Sequence, residues 1–281
     1  MIRRLSVLLS IAAVPFVVWW LVLPKLPDDP LCEAPAKRAD RRWKEHVDSG
    51  LCLYWPDGMA LGAARDSLRR VVATAREDSA EFMGVRDTAP PIRMVLVHSR
   101  DELRRITGRE AWGTTYPDGM VFLVFDGRVN TLGIRHEVMH ALNRTLWPPG
   151  GNESWIVEGL GVVGGGHCGG YSPRAVAAFL LEQGMLPSLE SLEASFSALD
   201  EIVGHLTAAA FVQFTRAEYG AGGLERLWVG GLGALAGTEA DRQSLKDPWF
   251  RYLQGVPMGD RLPSLDVIRS GCRADGESNA A

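Results

Sequence analysis

Two hydrophobic rhythms run along this chain, and each predicts its own kind of element. Short runs rich in β-branched and aromatic residues predict strands at residues 51–55, 92–97 and 120–125. The first ends at Pro56-Asp57-Gly58, and the last follows the turn Tyr116-Pro117-Asp118-Gly119. Apolar residues at three- and four-residue spacing predict a helix over 60–83, with Leu61, Leu68, Val71, Val72, Ala75 and Phe82 turned to a core. A shorter helix is expected over 100–106, with Asp101 and Glu102 in its first turn. Another starts at Asn130 or Thr131, carries an apolar stripe through Leu146 and stops at Pro148-Pro149-Gly150-Gly151. Residues 155–161 read as a short helix capped by Asn152 or Ser154 and ended by Gly164-Gly165-Gly166. Helices at 173–183, 199–219 and 224–232 complete the set. Strands interleaved with helices, then helices alone, predict an α+β fold: a small mixed sheet in an N-terminal lobe, helices on one of its faces, and a mainly helical C-terminal lobe.

The two ends read differently. Residues 5–23 run without a charge behind Arg3 and Arg4, with Trp19 and Trp20 near the far end and Pro24 and Pro27 beyond. This predicts a single N-terminal transmembrane helix with the rest of the chain outside the cytoplasm, or a cleaved signal segment. Residues 28–49 are polar and read as a tether leading into a short helix, with the charge run 37–45 a solvated face. A folded domain is expected over 50–260, and a loop and tail over 261–281. Cys32, Cys52, Cys168 and Cys272 form an even set, which in an exported chain favours two disulfides. Three pairings are possible; Cys32 with Cys52 and Cys168 with Cys272 closes the shortest first loop. None of the four has the spacing of a cysteine metal site.

The composition changes this picture little. The 281 residues are 46% hydrophobic and 23% charged, with a net charge of −4, so no nucleic-acid footprint is present.

The chemistry centres on His136-Glu137-Val138-Met139-His140. On a helix, residues four apart share a face, so both imidazoles can reach one metal ion. Glu137 beside them stands where a general base is needed. Such a site needs a third protein ligand and an open position for water. Glu153, Glu158 and His167 are the candidates downstream. Glu158 is favoured because it sits on the helix of Trp155-Ile156-Val157-Glu158-Gly159-Leu160-Gly161, which can return antiparallel to the first. Gly159, without a side chain, is expected to allow close packing against that first helix.

The pair of motifs, H-E-x-x-H followed by W-x-x-E-G-L, resembles the signature of the gluzincin zinc metallopeptidases. The resemblance is closest to the peptidase-MA-like group related to the M1 aminopeptidases and thermolysin, and it covers about residues 50–230. It implies that His136, His140 and Glu158 bind one zinc ion (Zn2+), that Glu137 is the base, and that peptide bonds are hydrolysed by zinc-activated water. It implies a zinc site between the two lobes. It also implies that the strand before the H-E-x-x-H helix is the sheet edge on which a peptide lies, with Trp112, Gly113 and Tyr116 bordering the cleft. The family often has a Tyr near the start of the long C-terminal helix to steady the oxyanion. His205 falls there in this chain, and Arg144 and Tyr116 are further candidates for that role. Two features depart from the pattern. Gly161 stands where Ala or another small residue is usual, and no G-x-M-E-N motif is present to hold a free amino terminus. The competing expectations are an inactive exported domain that binds a peptide or envelope partner, and a hydrolase acting on a non-peptide amide.

Overall fold

The computed structural model describes residues 43–48, 50–149, 153–165, 170–237, 243–257 and 265–269. All belong to one compact unit, Ala34–Ala281. The expected membrane segment at 5–23 lies outside the described residues. Among those described, no helix is long and apolar enough to cross a membrane.

The α+β expectation is met by a five-stranded sheet and a mostly helical C-terminal part. The strands are β1 (Trp43–Val47), β2 (Leu51–Pro56), β3 (Ile92–Val97), β4 (Gly113–Thr115) and β5 (Val121–Val124), in the spatial order β1-β2-β3-β5-β4. The three inner strands are parallel, and the two edge strands are antiparallel to their neighbours. Parallel neighbours need crossovers, and helices α1 (Ala64–Met83) and α2 (Arg100–Thr107) supply them. Alternate residues Leu51, Leu53, Met94, Leu96, Val121 and Leu123 face the main core, with α1 and the later helices. Phe122 points to the other face. There its ring meets Tyr116 edge-on at 5.2 Å, and the Tyr116 hydroxyl donates to the Ile106 carbonyl of α2. Helices therefore line both faces of the sheet, and not one as the sequence suggested.

Two expectations about the strands need correction. The charged run before residue 48 leads into β1, not into a helix. Trp43–Val47 pairs with β2 across a turn in which the Asp48 carboxylate accepts from the backbone of Gly50 and Leu51, both at 3.0 Å. Pairing with the open edge of β2 outweighs the local helical composition of this run. The edge nearest the H-E-x-x-H helix is β4, a three-residue strand, and β5 lies inside the sheet.

The helical part begins with α3 (Thr131–Leu146), capped by the Asn130 side chain, which accepts from Gly133 at 3.0 Å. Helix α4 (Ser154–Gly165) is longer than its motif suggested. Helices α5 (Pro173–Glu182) and α6 (Leu189–Ser195) precede a long helical span, α7 (Glu201–Ala236). That span breaks at Gly220, whose φ of 68° is a left-handed conformation that favours glycine. Helix α8 (Lys246–Gln254) buries Trp249 beside Phe211 and Phe214 of α7. The region read as a tail carries α9 (Leu265–Arg269), whose Ile268 packs with Val176, Leu180 and Leu206. Cys52 is disulfide-bonded; the other three cysteines, and so their pairing, lie outside the described residues.

Candidate metal centre

Helix α3 presents His136 and His140 toward α4, and glycines set how closely the two helices approach. A Cβ on Gly164 would meet Met139 Cβ at 2.7 Å and the Arg135 carbonyl at 2.8 Å. A Cβ on Gly161 would meet the His136 ring at 2.5 Å. These are the glycines that permit close packing on α3. Gly159, expected in that role, instead faces α7, where a Cβ would meet the Ala208 carbonyl carbon at 2.9 Å. Alpha-4 is thus pressed between α3 and α7 through opposite faces, and Glu158 emerges between them.

The result is a cluster of donor atoms. His136 Nε2 lies 2.9 Å from His140 Nε2 and 3.5 Å from Glu158 Oε2. One ligand atom from each of the three residues falls within 4.8 Å of the others, so the group could hold a metal ion. Ligands about 2.05 Å from a tetrahedral metal stand about 3.3 Å apart. The two contacts bracket that spacing. Two imidazole nitrogens and one carboxylate oxygen are also the donor set of a three-ligand site with a position left open.

Electrostatics favour the same protonation states. Burial, reinforced by the charge of His136, drives His140 down to about 3, so its ring is neutral. Burial alone would raise the Glu158 carboxyl, but the imidazoles of His136 and His205 beside it hold it below the usual carboxylate range. His205 approaches from α7. Its Nε2 lies 3.6 Å from Glu158 Oε2, and its Nδ1 is bonded to the Glu201 carbonyl one turn back. Burial acts to lower His205, and the Glu158 carboxylate and the Glu201 carbonyl more than offset it, raising its pKa.

No protein-family model matches this sequence, and no curated protein matches it either.

Glu137 is held on the opposite side of His136 from α4. It is 7% exposed. The Thr115 hydroxyl of β4 donates to its Oε2 at 2.6 Å and lies 3.2 Å from its backbone carbonyl. A Cβ on Gly113 would come within 2.9 Å of Glu137 Oε1. The alternation of the strand turns Gly113 and Thr115 to the same face, one leaving room for the carboxylate and the other bonding it. Burial raises the Glu137 pKa, against the opposing pull of His136 and the Thr115 bond.

Of the residues singled out in the sequence, His136, Glu137, His140, Glu158 and His205 come together. Tyr116 does not join them. The turn after β4 carries it to the α2 face of the sheet, where its hydroxyl is engaged by Ile106. Trp112 stands beside Gly113 and is 57% exposed, with the Arg100 guanidinium 5.6 Å from its ring centre. Thr115 was not anticipated. Its only trace in the sequence is the i, i+2 relation to Gly113, and nothing local shows that this strand abuts α3.

Proposed function

We propose that this chain is a zinc-dependent metallopeptidase. The observation that carries the proposal is the convergence of His136, His140 and Glu158 from two helices, with Glu137 fixed beside them. Zinc in this donor set supplies Lewis acidity, which brings the pKa of a water molecule toward neutral and polarises a carbonyl. The remaining work falls to the chain. Glu137 Oε accepts the proton of the attacking water and returns it to the departing amine. Thr115 keeps that carboxylate in one orientation, and Gly113 leaves it free of steric conflict. His205 steadies Glu158 from the far side, as the outer partners of carboxylate ligands do. The outer edge of β4 offers backbone groups with which an extended peptide can pair next to Glu137.

The resemblance to gluzincins in the H-E-x-x-H and W-x-x-E-G-L motifs supports this reading. The disulfide at Cys52 supports an exported domain, and we place it outside the cytoplasm, anchored or led there by residues 5–23. The test is Glu137→Gln. It should retain bound zinc and lose peptide hydrolysis by at least about 100-fold. Undiminished turnover would remove Glu137 from the mechanism.

A further inference from the structure

The other half-buried arginines among the described residues each give the guanidinium to an acceptor. Arg69 and Arg135 bond the carboxylates of Asp48 and Asp78, and Arg93 donates to the Asp118 carbonyl and pairs with its carboxylate. Arg76, Arg174 and Arg216 bond the backbone carbonyls of Pro90, Tyr252 and Phe82. Arg144 is the exception. It too is half-buried. Among the described residues it makes no hydrogen bond or ion pair, and its Nε is enclosed without a partner. A buried donor with no acceptor is costly, and a charged one more so.

Its position gives that exception a meaning. Arg144 follows His140 by one helical turn and Glu137 by two, so it shares their face of α3. Helical side chains lean toward the N-terminus, which carries the guanidinium back toward Glu137. The charges of Glu137, Glu158 and Arg109 all act on it. Neither acid is an ion-pair partner: Glu137 is bonded by Thr115, and Glu158 belongs to the His136–His140 group. A guanidinium left without an acceptor on this face draws an anion.

We infer that Arg144 anchors a carboxylate of the substrate beside the metal centre. The inference rests on the peptidase reading and adds a substrate class to it: peptides with a carboxylate close to the bond that is cut. A guanidinium offers a carboxylate paired, charge-assisted hydrogen bonds. The carboxylate comes either from a free peptide C-terminus or from an Asp or Glu side chain.

The test uses one mixed-sequence hexapeptide pool in three forms. The first has free C-termini and no Asp or Glu, the second has amidated C-termini with Asp and Glu present, and the third is amidated with Asn and Gln in their place. Cleavage by the full-length zinc-loaded protein is followed by mass spectrometry, and retention is measured separately on immobilised Glu137→Gln protein. One of the first two pools should be cleaved and retained about 10- to 100-fold better than the third, and which one it is identifies the source of the carboxylate. Arg144→Gln should abolish the preference, bringing cleavage and retention of the favoured pool down to those of the third, while Arg144→Lys should restore part of it. An oxyanion role for Arg144 would instead lower cleavage of all three alike. Equal retention of the three pools, or retention of none, overturns the inference. Selective retention without cleavage by the wild type would sink the peptidase reading and leave the anion site standing.

Discussion

Replacing Thr115 with Val tests the support of the proposed base with little change in shape. The substitution removes one buried hydroxyl, which donates to Glu137 Oε2 at 2.6 Å. A hydrogen bond to a charged group contributes about 1.5–3 kcal/mol. Its loss therefore raises the pKa of the Glu137 carboxyl. Burial already raises that pKa, and the Thr115 bond is one of the forces opposing it. A raised pKa means that the carboxylate is present only at higher pH. The acidic limb of kcat/KM against pH should therefore move up, with about a 10- to 100-fold loss of activity on that limb, the equivalent of about 1.5–3 kcal/mol, and a smaller loss above it. Thr115→Ser retains the donor and should keep the wild-type limb, which separates loss of the bond from disturbance of the short β4 strand. The assay is peptide hydrolysis across pH with zinc content held equal in the three proteins. If Thr115→Val keeps the wild-type limb and rate, the bond to Glu137 has no part in the chemistry.

Other predictions follow from the glycine contacts. Gly161→Val places side-chain carbon where the His136 ring stands, at a Cβ distance of 2.5 Å against the 3.4–4 Å of ordinary contact. The ring must turn away, and zinc affinity measured by competition with a chelator should fall at least about tenfold. Gly164→Leu meets the backbone carbonyl of Arg135, a neighbour that cannot swing aside. Its thermal unfolding should show a loss of about 1–3 kcal/mol, and an unchanged melting temperature would mean that α3 and α4 are not packed as described.

The elements that depend on local pattern were legible in the sequence. The three inner strands, α1, α3 and the break of the long helical span at Gly220 all appear as periodicity or punctuation. The three metal-ligand candidates were legible because two of them are fixed by helical spacing and the third stands on a short apolar helix that follows. What was hidden depends on contacts between distant segments. Beta-1 is a strand because β2 has an open edge, although Asp48-Ser49-Gly50 is a turn signal that could have suggested a hairpin. Beta-4 is too short for its pattern to stand out, so the sheet edge was assigned to β5 and Thr115 was passed over. Gly159 and Gly161 are two residues apart on one helix, and only the packed structure shows that the first serves α7 and the second makes room for His136. The gluzincin resemblance implies that Tyr116 borders the cleft; the turn after β4 carries it to the other face of the sheet, against Phe122.

The most direct measurement is the metal content of the purified full-length protein beside its Glu158→Ala variant, by elemental mass spectrometry. The account predicts one zinc ion per wild-type chain, lost or strongly weakened in the variant while circular dichroism shows both folded. A folded wild type that carries no zinc and takes up none on titration would contradict the metal centre and the peptidase reading built on it.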